Sequence, residues 1–235
     1  MESLRIYSIL SAGIAMGMGS IGSALGEGIV AMKAVNALGR QPGASAKIVR
    51  IMIIAQAVTE TAAIFALVMS LLLLFQAPAV TTIKAVSFLA AGIAIGFGSI
   101  GAGLGAGLPG SAAMEGIGRQ PRNSDVLTVQ MIIGQAVTQT STVFALTVAL
   151  LLTFLEPVGG FAKSMAILGA GCSMGLGAIG PGIGDGLVAM NANLAVSRNP
   201  HYMGLLTRTM IIGQAITETT DIYAMVVSLI LIFVA

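Results

Sequence analysis

Residues 13–28 read GIAMGMGSIGSALGEG, residues 92–107 read GIAIGFGSIGAGLGAG, and residues 171–186 read GCSMGLGAIGPGIGDG. The three align without a gap. The step from Gly13 to Gly92, and again from Gly92 to Gly171, is 79 residues. A fixed period of this kind decides the architecture before any local propensity is weighed. A second block keeps the same step: IIAQAVTET at 53–61, IIGQAVTQT at 132–140 and IIGQAITET at 211–219. The chain is therefore a direct triplication, divided here into units 1–79, 80–158 and 159–235. Short connectors lie at 76–80 and 156–160.

Each unit holds two long apolar stretches around a polar turn. The turns are GRQPGASAK after Leu38, GRQPRNSD after Ile117 and SRNPHYMG after Val196. The stretches from Ile6 to Leu38 and from Ile48 to Phe75 exceed the roughly 20 helical residues that cross a bilayer. The fold expected is an all-α membrane protein of six transmembrane helices in three tandem hairpins. Proline after each first helix, at Pro42, Pro121 and Pro200, favours a helix stop there.

Composition agrees. Of 235 residues only 9% are charged and 56% are hydrophobic, where a soluble domain carries about 25% charged. The chain has 31 Gly and no Trp, which suits helices packed through small residues. A net charge of +2 gives no reason to expect a nucleic-acid partner. The Gly-x-Gly runs are not read as a nucleotide loop, which needs a strand before it. The first apolar stretch is too long for a cleaved signal peptide. Cys172 reads as a small packing residue and His201 as a solvated turn residue. Arg40, Lys47, Arg50, Arg119, Arg122, Arg198 and Arg208 crowd the turn side, against Arg5, Lys84 and Lys163 opposite. The turns are expected to face the cytoplasm, with both termini on the other side.

Acids inside a bilayer cost about 2.5 to 3.5 kcal/mol and are functional by default. Glu27 lies twelve residues before Gly39, and Glu60 some fifteen residues into the second helix. Both fall about 18 to 22 Å from the turn. Asp185 and Glu218 repeat the pair in the third unit; the second unit has Ala106 and Gln139 instead. Two acids at one depth do not readily both ionise, so each pair is expected to share one proton and carry one negative charge. One monovalent cation then makes the site neutral and able to pass lipid. Thr59, Thr61, Thr138, Thr140, Thr217 and Thr219 flank these positions. Hard cations favour such oxygens, although a membrane threonine also bonds back to its own helix.

The glycine-rich first helix, the turns Arg40-Gln41-Pro42 and Arg119-Gln120-Pro121, and the carboxylate midway along the second helix together resemble the c subunit, or proteolipid, of rotary ATP synthases. The resemblance covers the chain three times over. It implies a non-catalytic rotor component. Several copies would close into a homo-oligomeric ring in membrane lipid and turn against a stator a subunit. Ion flow would thereby be coupled to ATP synthesis or hydrolysis. No cofactor is implied; Na+ or H+ is the cargo, and the acid pairs and threonines favour Na+. The turns would meet the central stalk through Arg40, Gln41, Arg119, Gln120 and Arg198. Sodium-binding members imply ligands at Glu27, Glu60, Asp185 and Glu218, the hydroxyls of Thr61, Thr140 or Thr219, and the carbonyls of Val58, Val137 or Ile216. In that family the ligands come from two neighbouring hairpins, so the second unit could still lend Thr140 or Val137. The family's tyrosine is matched by Tyr223 alone; Phe65 and Phe144 depart from it, so the first site is expected to be held less tightly. Asp221 has no role in the family, and pairing with a hydroxyl or water is its plain alternative.

The turn and carboxylate contexts look F-type, whereas fused hairpins with a missing carboxylate are typical of V-type and archaeal-type rings. Two other readings are a stand-alone ion or solute transporter and a structural proteolipid. The first usually needs inverted repeats, but two-helix repeats all keep one orientation. The second leaves the paired acids without a use.

Overall fold

The computed structural model describes residues 2–76 and 81–234; most of the first connector, residues 77–80, lies outside them. Among the described residues there are eight α-helices and no strand: α1 (Glu2–Arg40), α2 (Ser45–Phe75), α3 (Thr82–Arg119), α4 (Ser124–Thr138), α5 (Thr140–Phe154), α6 (Phe161–Gly177), α7 (Ile179–Arg198) and α8 (Met203–Phe233). They form six spans long and apolar enough to cross a membrane. The pairs α4–α5 and α6–α7 are each one rod loosened at a single residue, Gln139 or Ala178, whose backbone stays near the helical region. The first interruption lies beside the Thr140 hydroxyl, which reaches the Val137 carbonyl at 2.6 Å; the second has a local cause. Pro181 has no N–H to offer the carbonyl four residues earlier.

The turns are alike in all three hairpins. Each first helix stops at an arginine, and the next residue (Gln41, Gln120 or Asn199) leaves helical geometry, with φ of −135°, −141° and −136°. Proline disfavours helical geometry in the residue before it. The proline then opens a single 3-10 turn that leads into the second helix.

The helices make two layers. In one, α1, α3 and α6–α7 lie side by side, with α3 central. In the other, α2 sits on α1 and α3, α4–α5 sits on α3 and α7, and α8 sits on α6 and α7. Each second helix but the last therefore bridges its own hairpin and the next. α8 has only its own hairpin to lie on, and it is the least buried span.

Backbone contact holds the first layer together. A methyl group at Gly107 would stand 2.5 Å from the Gly26 carbonyl oxygen, and one at Gly186 would stand 2.5 Å from the Gly105 Cα. Only a hydrogen fits at these two positions. Polar ties add to this at the open ends of the hairpins. Lys84, 5% exposed, donates to the Thr153 and Leu155 carbonyls at 2.9 and 2.5 Å and pairs with Glu156 at 3.0 Å. Lys163 donates to Ile232 at 2.7 Å. A cation at a helix C-terminus offsets the helix dipole and satisfies unpaired carbonyls. Ser70 and Ser228 donate across hairpins one and three to Ala12 and Ala170, at 2.8 and 2.9 Å.

Replacing Gly107 or Gly186 by alanine forces apart two backbones. We expect each change to lower unfolding stability by about 1–3 kcal/mol through overpacking, beyond the roughly 1 kcal/mol of helix propensity that alanine adds. Gly204→Ala, which meets open space, is expected to be neutral or stabilising. Unfolding midpoints in denaturing detergent distinguish the two classes.

Candidate ion sites

The three hairpins meet at two seams within the chain, and each seam holds a different arrangement at the depth of the acids. Between the second and third hairpins, the Thr140 hydroxyl donates to Glu218 Oε1 and also contacts the Val137 carbonyl. Thus a hydroxyl and a carbonyl of one hairpin meet a carboxylate of the next. Asp185 of α7 faces the same place. It is fully buried beside the Thr217 hydroxyl of α8, and neither carboxyl oxygen makes a well-formed hydrogen bond. An unpartnered buried polar group costs about 1–3 kcal/mol, and more if charged. A proton or a cation is what would satisfy it. The backbone beneath is fixed by Gln214, whose amide donates to the Asp185 and Gly134 carbonyls at 3.2 Å each. Asp221, one turn past Glu218, is also fully buried with both oxygens unpartnered. It faces the Ser141 hydroxyl of the second hairpin. The equivalent residues are Ala63 and Thr142, so a third carboxyl is peculiar to this seam.

Between the first and second hairpins the same position is closed by an amide. Gln139 Nε2 donates to the Val58 carbonyl at 2.9 Å, and Ala106 stands where the other pairs have an acid. Gln135 ties the seam beneath it, donating to Ala106 O at 2.9 Å, Ala55 O at 3.0 Å and Thr59 Oγ1 at 3.3 Å. An N–H thus occupies the carbonyl that at the next seam stands beside the carboxylates. Thr61 lies on this flank of α2 and bonds back to Ala57.

The first pair has no such neighbour. Glu27 and Glu60 interact electrostatically across their hairpin, and Gln56 donates to the Glu27 carbonyl at 3.3 Å. Glu60 is exposed and Glu27 half-buried. No hydroxyl and carbonyl from another described hairpin covers them. The matching pair, Thr219 and Ile216, lies on the free flank of α8, where Thr219 bonds its own Ile216 carbonyl at 2.7 Å. Tyr223 shares that flank, one turn on and 65% exposed. It is Phe144 that follows Thr140 by one turn at the internal seam. The tyrosine therefore does not favour the third unit's own site over the first.

Thr59, Thr138 and Thr217 bond back to carbonyls one turn earlier at 2.8, 2.8 and 3.0 Å, the plain alternative for a membrane threonine. Arg40, Arg119, Gln120 and Arg198 are exposed, and Gln41 half-buried, at the turn end. Gln56, Gln135 and Gln214 were not singled out from the sequence, although a glutamine four residues before each Glu, Gln or Glu was visible in all three blocks. Glu115 was also passed over; it pairs with Lys33 at 2.9 Å across the first seam and with Arg119. The other units carry Asn36 and Leu194 there, so the repeat held no signal for it.

Comparison with known proteins matches this arrangement. The ATP synthase c-subunit family is found three times, at residues 10–73, 89–152 and 168–231. The ATP synthase c subunit of Petrotoga mobilis is 50% identical over 68 residues, 29% of this chain and 71% of that protein. That of Thermotoga maritima is 39% identical over 84 residues, 34% of this chain and 99% of the relative. An ATP synthase c subunit from Dehalococcoides mccartyi is 47% identical over 74 residues, 32% of this chain and 97% of the relative. Each relative thus corresponds to about one hairpin, and the chain belongs to the ATP synthase c-subunit family as three of its units in tandem.

Proposed function

We propose that this chain is a sodium-carrying rotor component with two ion sites for every three hairpins. Members of the family form rings that work with an a subunit and a rotor stalk. The observation that carries the sodium reading is the internal seam. There the Thr140 hydroxyl reaches both the Val137 carbonyl and Glu218, and the buried Asp185 interacts electrostatically with Glu218. Four oxygens of this kind suit a hard monovalent cation. With one proton shared by the two acids, and Asp221 carrying its own, one Na+ makes the site neutral, and only a neutral site passes lipid at low cost. Glu27 and Glu60, with Thr219, Ile216 and Tyr223 of the adjoining copy, form the second site. The Gln139 amide makes the middle position permanently neutral, so this hairpin crosses lipid carrying no ion. The units run over 1–79, 80–158 and 159–235. The basic turns lie on the cytoplasmic side, where Arg40, Gln41, Arg119, Gln120 and Arg198 meet the stalk. The exposure of these turn residues supports that reading.

Sodium is expected to slow carbodiimide labelling of both Glu60 and Glu218 in the assembled ring near neutral pH, because the reagent needs these carboxyls protonated, and bound Na+ keeps them ionised with the pair's one proton on Glu27 or Asp185. Labelling indifferent to sodium would turn the reading to protons. The ion count gives a second test. With two ions per chain per turn, a fixed ATP free energy drives each ion against a steeper gradient than three would allow. Ions moved per full turn of the rotor in the reconstituted holoenzyme should equal two-thirds of the number of hairpins in the ring; a count per turn equal to the hairpin number contradicts the proposal.

A further inference from the structure

The two carboxylate pairs of one chain differ in what completes them. Glu218, coupled electrostatically to Asp185, meets the Thr140 hydroxyl, itself on the Val137 carbonyl, across a seam whose two sides are covalently joined. Glu27 and Glu60 lie at an edge with nothing across it.

The glycines identify what belongs there. Methyl groups at Gly92, Gly96 and Gly107 would strike Ser11, Ile14 and Gly26 of α1. At Gly171, Gly175 and Gly186 they would strike Ala90, Ile93 and Gly105, each 79 residues further along. The same three positions in the first hairpin, Gly13, Gly17 and Gly28, meet nothing within 4 Å and are exposed. The opposite flank gives the mirror result. Gly22 abuts Ile100 and Gly101 abuts Ile179, while Gly180 meets nothing within 4 Å. The missing neighbour of α1 therefore has the spacing of α6–α7, and the missing neighbour of α7 has the spacing of α1. A second copy of this chain supplies both. The same register sets Thr219 and the Ile216 carbonyl of one copy against Glu27 and Glu60 of the next.

On the ion reading proposed above, we infer that cation binding at Glu27 and Glu60 is coupled to the contact between copies, whereas binding at Asp185 and Glu218 is not. Sodium then holds the ring together through only half of its sites. A separated copy keeps the internal site whole but loses the hydroxyl and the carbonyl that finish the edge site. A ligand that binds only the joined state strengthens it by the factor 1 + [L]/Kd. At a sodium concentration one hundred times the dissociation constant, each contact between copies tightens about 100-fold. The covalent fusion relieves the other seam of any such dependence.

The test compares paired substitutions in purified rings. The temperature at which rings dissociate into chains is measured in sodium chloride and in potassium chloride at equal ionic strength, so that screening is the same. Wild-type rings should dissociate at a higher temperature in sodium. Glu60→Gln and Thr219→Ala should abolish that shift, while Glu218→Gln and Thr140→Ala should retain it. The members of each pair are the same chemical change at equivalent positions of the repeat, so general damage would affect them equally. Thr219→Ala removes a single hydroxyl and keeps the comparison with Thr140→Ala open if Glu60→Gln rings fail to assemble. Equal loss of the shift at both positions overturns the inference, as does retention of the shift in Thr219→Ala. Wild-type rings that show no shift, yet whose Glu60 and Glu218 are protected by sodium from carbodiimide, overturn the inference and leave the ion reading standing. Absence of both the shift and the protection overturns the two together.

Discussion

Close contact between the backbones of the first helices is the constraint on which everything else rests. In lipid there is no hydrophobic force to drive one apolar helix against another, so association depends on dispersion at short range and on hydrogen bonds. Bare backbones supply that range. With Gly26 against Gly107, and Gly105 against Gly186, the three first helices lie nearer than any side chain would allow. The second helices then have grooves of one width to lie in, and that width brings Thr140 to Glu218 and Gln139 to Val58.

Because every second helix but the last spans two hairpins, the sites belong to seams rather than to hairpins. Glu218 finds its hydroxyl on the hairpin before it, and so does the Gln139 amide its carbonyl. A glutamine is repeated in each unit, and two of the three lock the internal seams just beneath that level. Gln135 and Gln214 each reach both their own first helix and the preceding second helix. Gln56 reaches only its own Glu27, since the preceding hairpin would belong to another copy.

Triplication has let the three seams diverge. One holds two acids and a third buried carboxyl, Asp221. One is closed by an amide. The last is divided between the two edges of the chain. In a ring of identical single hairpins all seams would be the same by symmetry, and no seam could lose its carboxylate without all of them losing it. Covalent linkage removes that restriction, because each seam is encoded separately.

Much was legible in residue order alone. A 79-residue period, six apolar stretches and the Arg-x-Pro turns specify hairpins in a membrane, since backbone polar groups in lipid must be satisfied within helices. The paired acids were legible too, because at 1.5 Å per residue equal distance from a turn means equal depth. Depth along an axis, however, says nothing of direction around it. Which flank of α8 carries Thr219 and Tyr223, and that Thr140 rather than Thr219 serves Glu218, depended on how the layers pack. So did the role of Gln139, which reads in sequence only as a lost acid and is in the fold an N–H donor to Val58. Side-chain hydrogen bonds between hairpins join residues 76 to 82 apart, and the repeat period announces that such neighbours exist without saying which atoms meet.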